Sequence, residues 1–201
     1  MTPLWAVDAG GSTTTAIVPG SGARKTYGSV NPASVGAEVR ISNLSVFLND
    51  YDVTVTIVLF GALPDSLHES IHTGIAANVR YYVELWQYTR MGVDRRLQAR
   101  MVERQLTYNV LTKEYKVAPL KGETREPFLT KDLREAQRVI SELRVGQLAP
   151  VAALDKQELY YVRVRSDVSL GGVNSWFARM TGEAEETPWV QSSVLTPVRN
   201  Q

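Results

Sequence analysis

Residues 52–86, DVTVTIVLFGALPDSLHESIHTGIAANVRYYVELW, decide the fold because a helix pattern lies between two strand patterns. Apolar and polar residues alternate from Val53 to Leu59, and most side chains are β-branched, which predicts a strand. Apolar residues then recur at every fourth position, at Leu63, Leu67, Ile71 and Ile75. This spacing predicts a helix with one buried side. Alternation returns from Asn78 to Tyr88 and predicts a long, half-buried strand.

Three residues mark the ends of this first helix. Pro64 and Asp65 suit its start, since the first turn needs no N–H from proline and the helix dipole favours a carboxylate there. Gly74 predicts its end.

The remaining elements follow from the same periodicities. A second helix is predicted from Leu133 to Leu143, with Thr130 as its N-cap and Asp132 in its first turn. Further strands are predicted at 38–50, 104–112, 114–117, 159–168 and 187–195. We therefore predict an α+β fold, with a mainly antiparallel sheet of about seven strands and two short helices packed on it.

Composition limits the classes of function. The 201 residues suffice for a single domain, which we place at residues 38–201 with residues 1–37 as a leader hairpin or extension. The formal net charge of +1 gives no overall field for nucleic acid, so we expect no nucleic-acid partner. The chain has no cysteine, and no window approaches the roughly twenty apolar residues of a transmembrane helix.

An arginine-rich stretch follows Tyr88 and contains Arg90, Arg95, Arg96, Arg100 and Arg104. Its apolar residues fit a helix and a bent strand about equally well. Five arginines are able to bind a phosphate or a carboxylate. Because Asp94 and Glu103 stand among them, we prefer the interpretation that this stretch is a solvated face. The aromatic residues are spread over separate elements, so we predict core anchors rather than a base-stacking platform. They are Trp86, Tyr108, Tyr115, Tyr161, Trp176 and Trp189.

His68, Glu69 and His72 match the H-E-x-x-H pattern. Two histidines one helical turn apart are able to share a zinc ion, and the glutamate between them is then the general base of a hydrolase. The chief candidate for a third ligand, Glu84, lies on a predicted strand, and Gly74 ends the helix early. The preferred alternative is a short packing helix whose histidines face water.

Asp8 and the turn that follows it, Gly10-Gly11-Ser12-Thr13, resemble the first phosphate loop of the sugar-kinase, heat-shock and actin superfamily of ATPases. Residues 27–36 resemble the next segment in the acetylglucosamine-kinase and BadF-type branch. The resemblance implies magnesium at Asp8 and ATP phosphates at Gly10, Gly11, Ser12 and Thr13. The alternative, which we prefer, is a glycine-turn hairpin that binds no nucleotide.

Residues 41–194 resemble a bacterial family, domain of unknown function 4390. The resemblance centres on Arg104, Leu106, Tyr108, Leu111, Thr112, Tyr115 and Val117. It implies a periplasmic protein, because family members usually begin with an export signal or membrane anchor and are commonly encoded near a nitrogen-responsive sensor kinase. Met1 to Val18 lacks the basic flank and apolar run of a signal peptide, so a cytoplasmic location is the alternative.

The family resemblance therefore implies a non-catalytic module of the bacterial envelope, which we expect to bind a protein or small ligand through the sheet or the arginine-rich edge. Whether the chain is an enzyme stays open, and we expect no cofactor. The two alternatives are a zinc hydrolase through His68, Glu69 and His72, and magnesium ATP binding at Asp8 to Thr15.

Overall fold

The computed structural model of the protein describes residues 38–49, 51–171 and 184–197. In these ranges ten strands and two helices follow one another along the chain. They are β1 (Arg40–Leu48), β2 (Val53–Phe60), α1 (Asp65–His72), β3 (Ala77–Tyr88), β4 (Arg95–Asn109), β5 (Glu114–Lys121), β6 (Phe128–Thr130), α2 (Leu133–Ser141), β7 (Glu142–Val145), β8 (Leu159–Leu170), β9 (Ala184–Glu186) and β10 (Val190–Gln191).

The described strands form two antiparallel sheets. The larger has seven strands in the order β10-β8-β3-β4-β5-β6, with β9 also paired to β8. The smaller has the order β1-β2-β7. The prediction of a mainly antiparallel α+β fold with two helices is confirmed, whereas the separate three-stranded sheet was not predicted.

The core lies against one face of the larger sheet. Alternate residues of β3 are completely buried, at Ala77, Val79, Tyr81, Val83 and Leu85. Val53, Val55, Ile57 and Leu59 of β2 are at most 2% exposed and belong to the same hydrophobic cluster. The two strand patterns of residues 52–86 therefore supply facing parts of one core.

Helix α1 ends earlier than its apolar spacing predicts. Leu67 and Ile71 are buried, but Ile75 lies beyond the helix and is 43% exposed. The prediction was wrong for Ile75 because the backbone leaves the helix at Gly74, whose φ is +96°.

Helix α2 begins with a different cap from the predicted one. The N-cap is Asp132, whose side chain accepts a hydrogen bond of 2.8 Å from the N–H of Arg134. Thr130 lies two residues earlier, accepts from the N–H of Asp132 and donates to Glu135. The helix ends at Ser141, so Leu143 belongs to β7 instead of the last helical turn.

The arginine-rich stretch is a strand from Arg95 onward, and its last arginine is buried. Arg104 is 3% exposed and donates to both carboxylate oxygens of Glu123, at 2.7 and 2.8 Å. It also donates to the carbonyls of Val139 and Glu142, at 2.7 and 2.6 Å. The expectation of a solvated face is therefore wrong for Arg104, which satisfies carbonyls at the end of α2 that have no helical partner.

Tyr81 supports the same helix end from β3. Its hydroxyl donates to the carbonyl of Ile140 at 2.7 Å, and burial raises the pKa of this phenol. It stays a donor at any ordinary pH. Tyr81 and Arg104 together join the C-terminal turn of α2 to the larger sheet.

Gly122 separates the end of β5 from β4. Its φ is +75°, and a Cβ there would lie 2.2 Å from the carbonyl oxygen of Met101, which no side chain tolerates. Pairing between β4 and β5 extends only from Glu103 to Asn109 of β4. The first half of β4 therefore has β3 as its only partner among the described strands.

Neither α1 nor α2 is long and apolar enough to cross a membrane, and they are the only α-helices in the described ranges. The predicted leader, residues 1–37, lies outside those ranges.

Replacing Arg104 by Met should reduce the free energy of unfolding by about 3–5 kcal/mol, because the carboxylate of Glu123 and two carbonyls lose their donor. Urea denaturation measures the change. Arg138 is the control, since it is exposed and 3.9 Å from Glu142. Its replacement by Met should alter stability by about 0.5 kcal/mol or less. Equal losses in the two variants would contradict the role given to Arg104.

Candidate functional site

A cleft of about 610 Å³ opens between the two sheets. One wall is Arg100 and Val102 of β4, the other is residues 143–146 at β7, and residues 122–124 close one end. A second cavity of about 300 Å³ shares Glu123, Leu143 and Arg144 with it and continues toward Thr56, Arg104, Arg125 and Glu142. We call the two together the inter-sheet cleft.

Both walls are strand edges that lack a partner among the described strands. Residues 95–102 of β4 pair only with β3, and β7 pairs only with β2. The carbonyl of Met101 faces Gly122, which lies where β5 leaves β4. Backbone groups of a strand alternate in direction, so Ala99 also points its N–H and C=O to this side. Backbone groups able to pair with another strand therefore lie beside the cleft.

Two arginines of β4 reach across to β7. Arg100 donates to the carbonyls of Gly146 and Gln147, at 2.9 and 3.2 Å. Arg104 donates to the carbonyl of Glu142, four residues before Gly146. Between them, the backbone of Arg144 points the same way and accepts no side-chain hydrogen bond in the described structure.

The inter-sheet cleft has an excess of positive charge. Its walls contain four arginines, Arg100, Arg104, Arg125 and Arg144, and two glutamates, Glu123 and Glu142. Glu123 is paired with Arg104, and Glu142 lies 3.9 Å from Arg138. Arg125 and Arg144 are exposed and have no acidic partner within the described ranges. An anionic group entering the cleft would meet both of them.

The histidines of the H-E-x-x-H pattern contact different neighbours. The Nε2 atom of His68 is 3.1 Å from the carbonyl oxygen of Leu63 and 3.4 Å from the side-chain nitrogen of Gln137. Its Nδ1 atom is 3.5 Å from the carboxylate of Asp65. Both ring nitrogens of His68 therefore already have protein partners.

His72 packs against a pair of tyrosines at the other end of the helix. Its ring centroid is 5.1 Å from that of Tyr108, and its Nε2 atom is 3.4 Å from the hydroxyl of Tyr115. Glu69 is exposed on the outer side of α1. Within the described ranges no three acidic or histidine side chains are grouped as metal ligands would be.

Glu84 is not available as a third zinc ligand for these histidines. Alternate residues of a strand point to opposite faces, and the neighbours of Glu84 on β3, Val83 and Leu85, face the core that contains Leu67 and Ile71 of α1. Glu84 therefore lies on the opposite face of the larger sheet.

On that opposite face Glu84 is the centre of an arginine–aromatic cluster. Its carboxylate accepts hydrogen bonds from Arg163 at 2.6 Å, Trp86 at 2.9 Å and Arg96 at 3.0 Å. Burial by itself would raise the pKa of Glu84, but these three donors outweigh it and hold the pKa below its usual value. Glu84 therefore stays ionised at neutral pH.

Aromatic rings enclose the arginines of this cluster. The Arg163 guanidinium lies 4.2 Å from the ring centre of Trp86 and 4.6 Å from that of Trp189. Arg165 lies 5.1 Å from Trp189 and forms an ion pair with Glu186. The prediction of core anchors was wrong for Trp189, which is 38% exposed, because cation–π contacts rather than burial hold the ring.

The predicted phosphate loop, Asp8, Gly10, Gly11, Ser12 and Thr13, lies outside the described residues. Nucleotide binding there stays a prediction.

Sequence reasoning found one wall of the inter-sheet cleft and missed the other. The arginine-rich edge of β4 was one of the two surfaces predicted to bind a partner. Of the residues of β7, Glu142 and Leu143 were assigned to the end of the second helix, and no strand was predicted there. The signal was present, because Leu143 and Val145 alternate with Glu142 and Arg144. Four residues are too few for such alternation to outweigh the helix pattern before them.

A scan of the chain against protein-family models matches the model described as Domain of unknown function (DUF4390) over residues 36–186. Searches among curated proteins and among solved structures found no match. The matched range contains both walls of the inter-sheet cleft and the H-E-x-x-H helix, whereas Trp189 lies beyond it.

Zinc content tests the metal prediction directly. Since the rings of His68 and His72 contact separate protein groups, we expect tagless protein purified without chelator to hold well under one zinc per chain. The double variant His68→Ala, His72→Ala is the control and should match it by elemental analysis. Near-stoichiometric zinc that the double variant loses would contradict this expectation and support the zinc hydrolase.

Replacing Glu84 by Gln should lower the free energy of unfolding by about 1–3 kcal/mol at pH 7, because three donors lose a charged acceptor. The pKa of Glu84 is depressed by folding, so its contribution is present above the unfolded pKa and is lost as the pH falls through the folded one. The difference in the free energy of unfolding between the wild type and Glu84→Gln should therefore disappear at acidic pH. Glu126→Gln, at an exposed position, is the control, and a difference independent of pH would contradict the assignment.

Proposed function

Since the chain belongs to the DUF4390 family, whose description states no activity, we propose its function from the geometry: a non-catalytic module that binds an extended segment of a partner protein in the inter-sheet cleft. The observation that carries this proposal is that two strand edges meet at one open cleft, which Arg100 and Val102 of β4 and residues 143–146 line. On this side neither edge pairs with another strand among the described residues.

Unpaired strand edges bind extended peptides by strand addition. The peptide supplies the missing N–H and C=O partners, and alternate side chains fill pockets beside the edge. Here Ala99 offers backbone groups from β4, and Arg144 offers them from β7. A bound strand would extend the larger sheet along the half of β4 that β5 leaves uncovered.

The charges favour an acidic peptide. Arg125 and Arg144 are exposed and lack acidic partners in the described ranges, while both glutamates of the cleft face arginines. A carboxylate on the peptide would therefore meet guanidinium groups without displacing an existing ion pair. Arginine is well suited to this role because its planar fork matches a carboxylate.

The other polar groups of the cleft support binding rather than chemistry. Arg100 and Arg104 are engaged by backbone carbonyls and Glu123, which fixes the walls in place. We also propose that the protein is located in the bacterial envelope, and the family resemblance supports this location. A small acidic ligand is the alternative occupant and is separated from a peptide by the experiment below.

A display library of ten-residue peptides, selected on the full chain, should yield acidic sequences without proline in their central positions, because proline has no N–H for strand pairing. Fluorescence polarisation then measures the affinity of a selected peptide. Arg144→Glu should weaken it at least tenfold, about 1.4 kcal/mol. Arg134→Glu, on the exposed side of α2 and outside the cleft, is the matched control and should leave it unchanged.

Amide hydrogen exchange identifies the bound edge in the same complex. The amides of Ala99 and Met101 should exchange more slowly when the peptide is bound, whereas those of β5 should not change. Selected peptides that tolerate a central proline and bind the Arg144→Glu variant equally would contradict strand addition in this cleft. Binding of free acidic amino acids with the affinity of the peptide would favour the small ligand.

A further inference from the structure

The turn between β3 and β4 exposes two aliphatic side chains almost completely. Met91 is 93% exposed and Val93 is 91% exposed. Tyr88 at the end of β3 and its partner Leu159 on β8 are 39% and 37% exposed and extend the apolar surface. We call Tyr88, Met91, Val93 and Leu159 the hairpin tip. Scattered exposed apolar side chains are ordinary on a protein, but four at one end of a sheet form a patch.

Hydrogen bonds to Asp94 hold in place the turn that carries Met91 and Val93. Asp94 accepts a hydrogen bond of 2.9 Å from the N–H of Thr89, which closes the turn. Its second carboxylate oxygen accepts from the hydroxyl of Tyr161 at 2.9 Å, which ties the turn to β8. Gly92 has a φ of +150°, so the chain reverses at a residue suited to that conformation. The two aliphatic side chains are therefore presented by a fixed turn.

Positive charge flanks the hairpin tip. Arg90 and Arg95 are exposed on either side of Met91 and Val93 and have no acidic partner in the described ranges. Arg96, 56% exposed, follows them and is paired with Glu84. The one acidic residue of the turn, Asp94, is engaged by Thr89 and Tyr161. Asp155 and Glu158 precede β8 and interact electrostatically with Tyr160, and Glu158 is the chain neighbour of Leu159.

This combination fits a lipid surface better than a protein surface. A stable protein interface needs about 800 Å² from each partner, more than two protruding side chains supply. Shallow insertion into a bilayer needs only a few apolar side chains, with nearby cations facing anionic headgroups. The long stems of Arg90 and Arg95 are able to lie along the acyl boundary while their guanidinium groups stay among the phosphates.

We propose that the hairpin tip docks the protein on a membrane surface that carries anionic phospholipids, with Met91 and Val93 inserted and Arg90 and Arg95 on the headgroups. The proposal is independent of peptide binding, because the inter-sheet cleft contains none of these residues.

Co-sedimentation of the full chain with vesicles tests it. Vesicles of phosphatidylcholine with about 30% phosphatidylglycerol should retain the protein, pure phosphatidylcholine should retain much less, and raising the salt should release it, as for binding to anionic lipid. The double variant Met91→Asp, Val93→Asp should bind at least tenfold more weakly. Arg90→Gln with Arg95→Gln should also weaken binding and reduce its salt dependence.

The turn between β4 and β5 provides a matched control. Leu111 is 93% exposed there, at the opposite end of β4, and the single cation of this turn, Lys113, is followed directly by Glu114. Leu111→Asp should leave vesicle binding unchanged. Circular dichroism should show that all variants are folded, which is expected at exposed positions.

Three results would overturn the proposal. The first is no retention on phosphatidylglycerol vesicles, and the second is equal retention of the Met91→Asp, Val93→Asp variant. The third is a loss of retention in Leu111→Asp as large as in that variant. If the wild type self-associates in gel filtration through Met91 and Val93 without binding vesicles, the hairpin tip is a protein interface and the proposal is wrong.

Discussion

The structure depends on the buried guanidinium of Arg104. It donates four hydrogen bonds to three separate parts of the chain: Glu123 after β5, Val139 in α2 and Glu142 at the start of β7. Burying a cation is costly unless its donors are satisfied, and here the helix end supplies acceptors that would otherwise lack partners. Together with the hydrogen bond from the hydroxyl of Tyr81 to the carbonyl of Ile140, this interaction fixes the C-terminal end of α2 against the larger sheet. It therefore also fixes the position at which β7 begins.

The same interaction explains why a cleft exists. Helix α2 runs into β7 without a loop, so fixing the helix end also fixes an edge strand. The side chains of Arg100 and Arg104 hold that edge beside β4 by donating hydrogen bonds to its carbonyls. Neighbouring strands of a sheet are ordinarily joined by hydrogen bonds between their backbones instead. Gly122 turns β5 away from the same stretch of β4. In the part of the chain that the structure describes, the two edges are therefore close together without backbone pairing between them.

Much of this fold is readable in the sequence because its longest elements are strongly periodic. The alternation in β2 and β3 predicted the buried residues of both strands, and apolar residues at helical spacing predicted both helices. Contacts between distant residues were not readable. Arg104 stands in a run of charges and resembles its exposed neighbours, and only the tertiary position of α2 makes it a buried cap. Whether Asp132 or Thr130 caps α2 depends on the local backbone dihedral angles, and both residue types are able to adopt those of an N-cap. The arginine–aromatic cluster brings together β3, β4, β8 and Trp189, which lie far apart in sequence.

The side-chain bridges between β4 and β7 have equal spacing. Arg100 and Arg104 are four residues apart, and the carbonyls they meet, those of Gly146 and Glu142, are four residues apart in the reverse direction. The two edges therefore run antiparallel across the cleft. A guest strand between them would be parallel to one wall and antiparallel to the other, which makes any filled cleft a mixed sheet. Antiparallel pairing is slightly more stable than parallel pairing, and the stretch of β4 that β5 leaves uncovered is longer than β7. A guest strand that runs antiparallel to β4 would therefore bind more tightly than one that runs in the opposite direction.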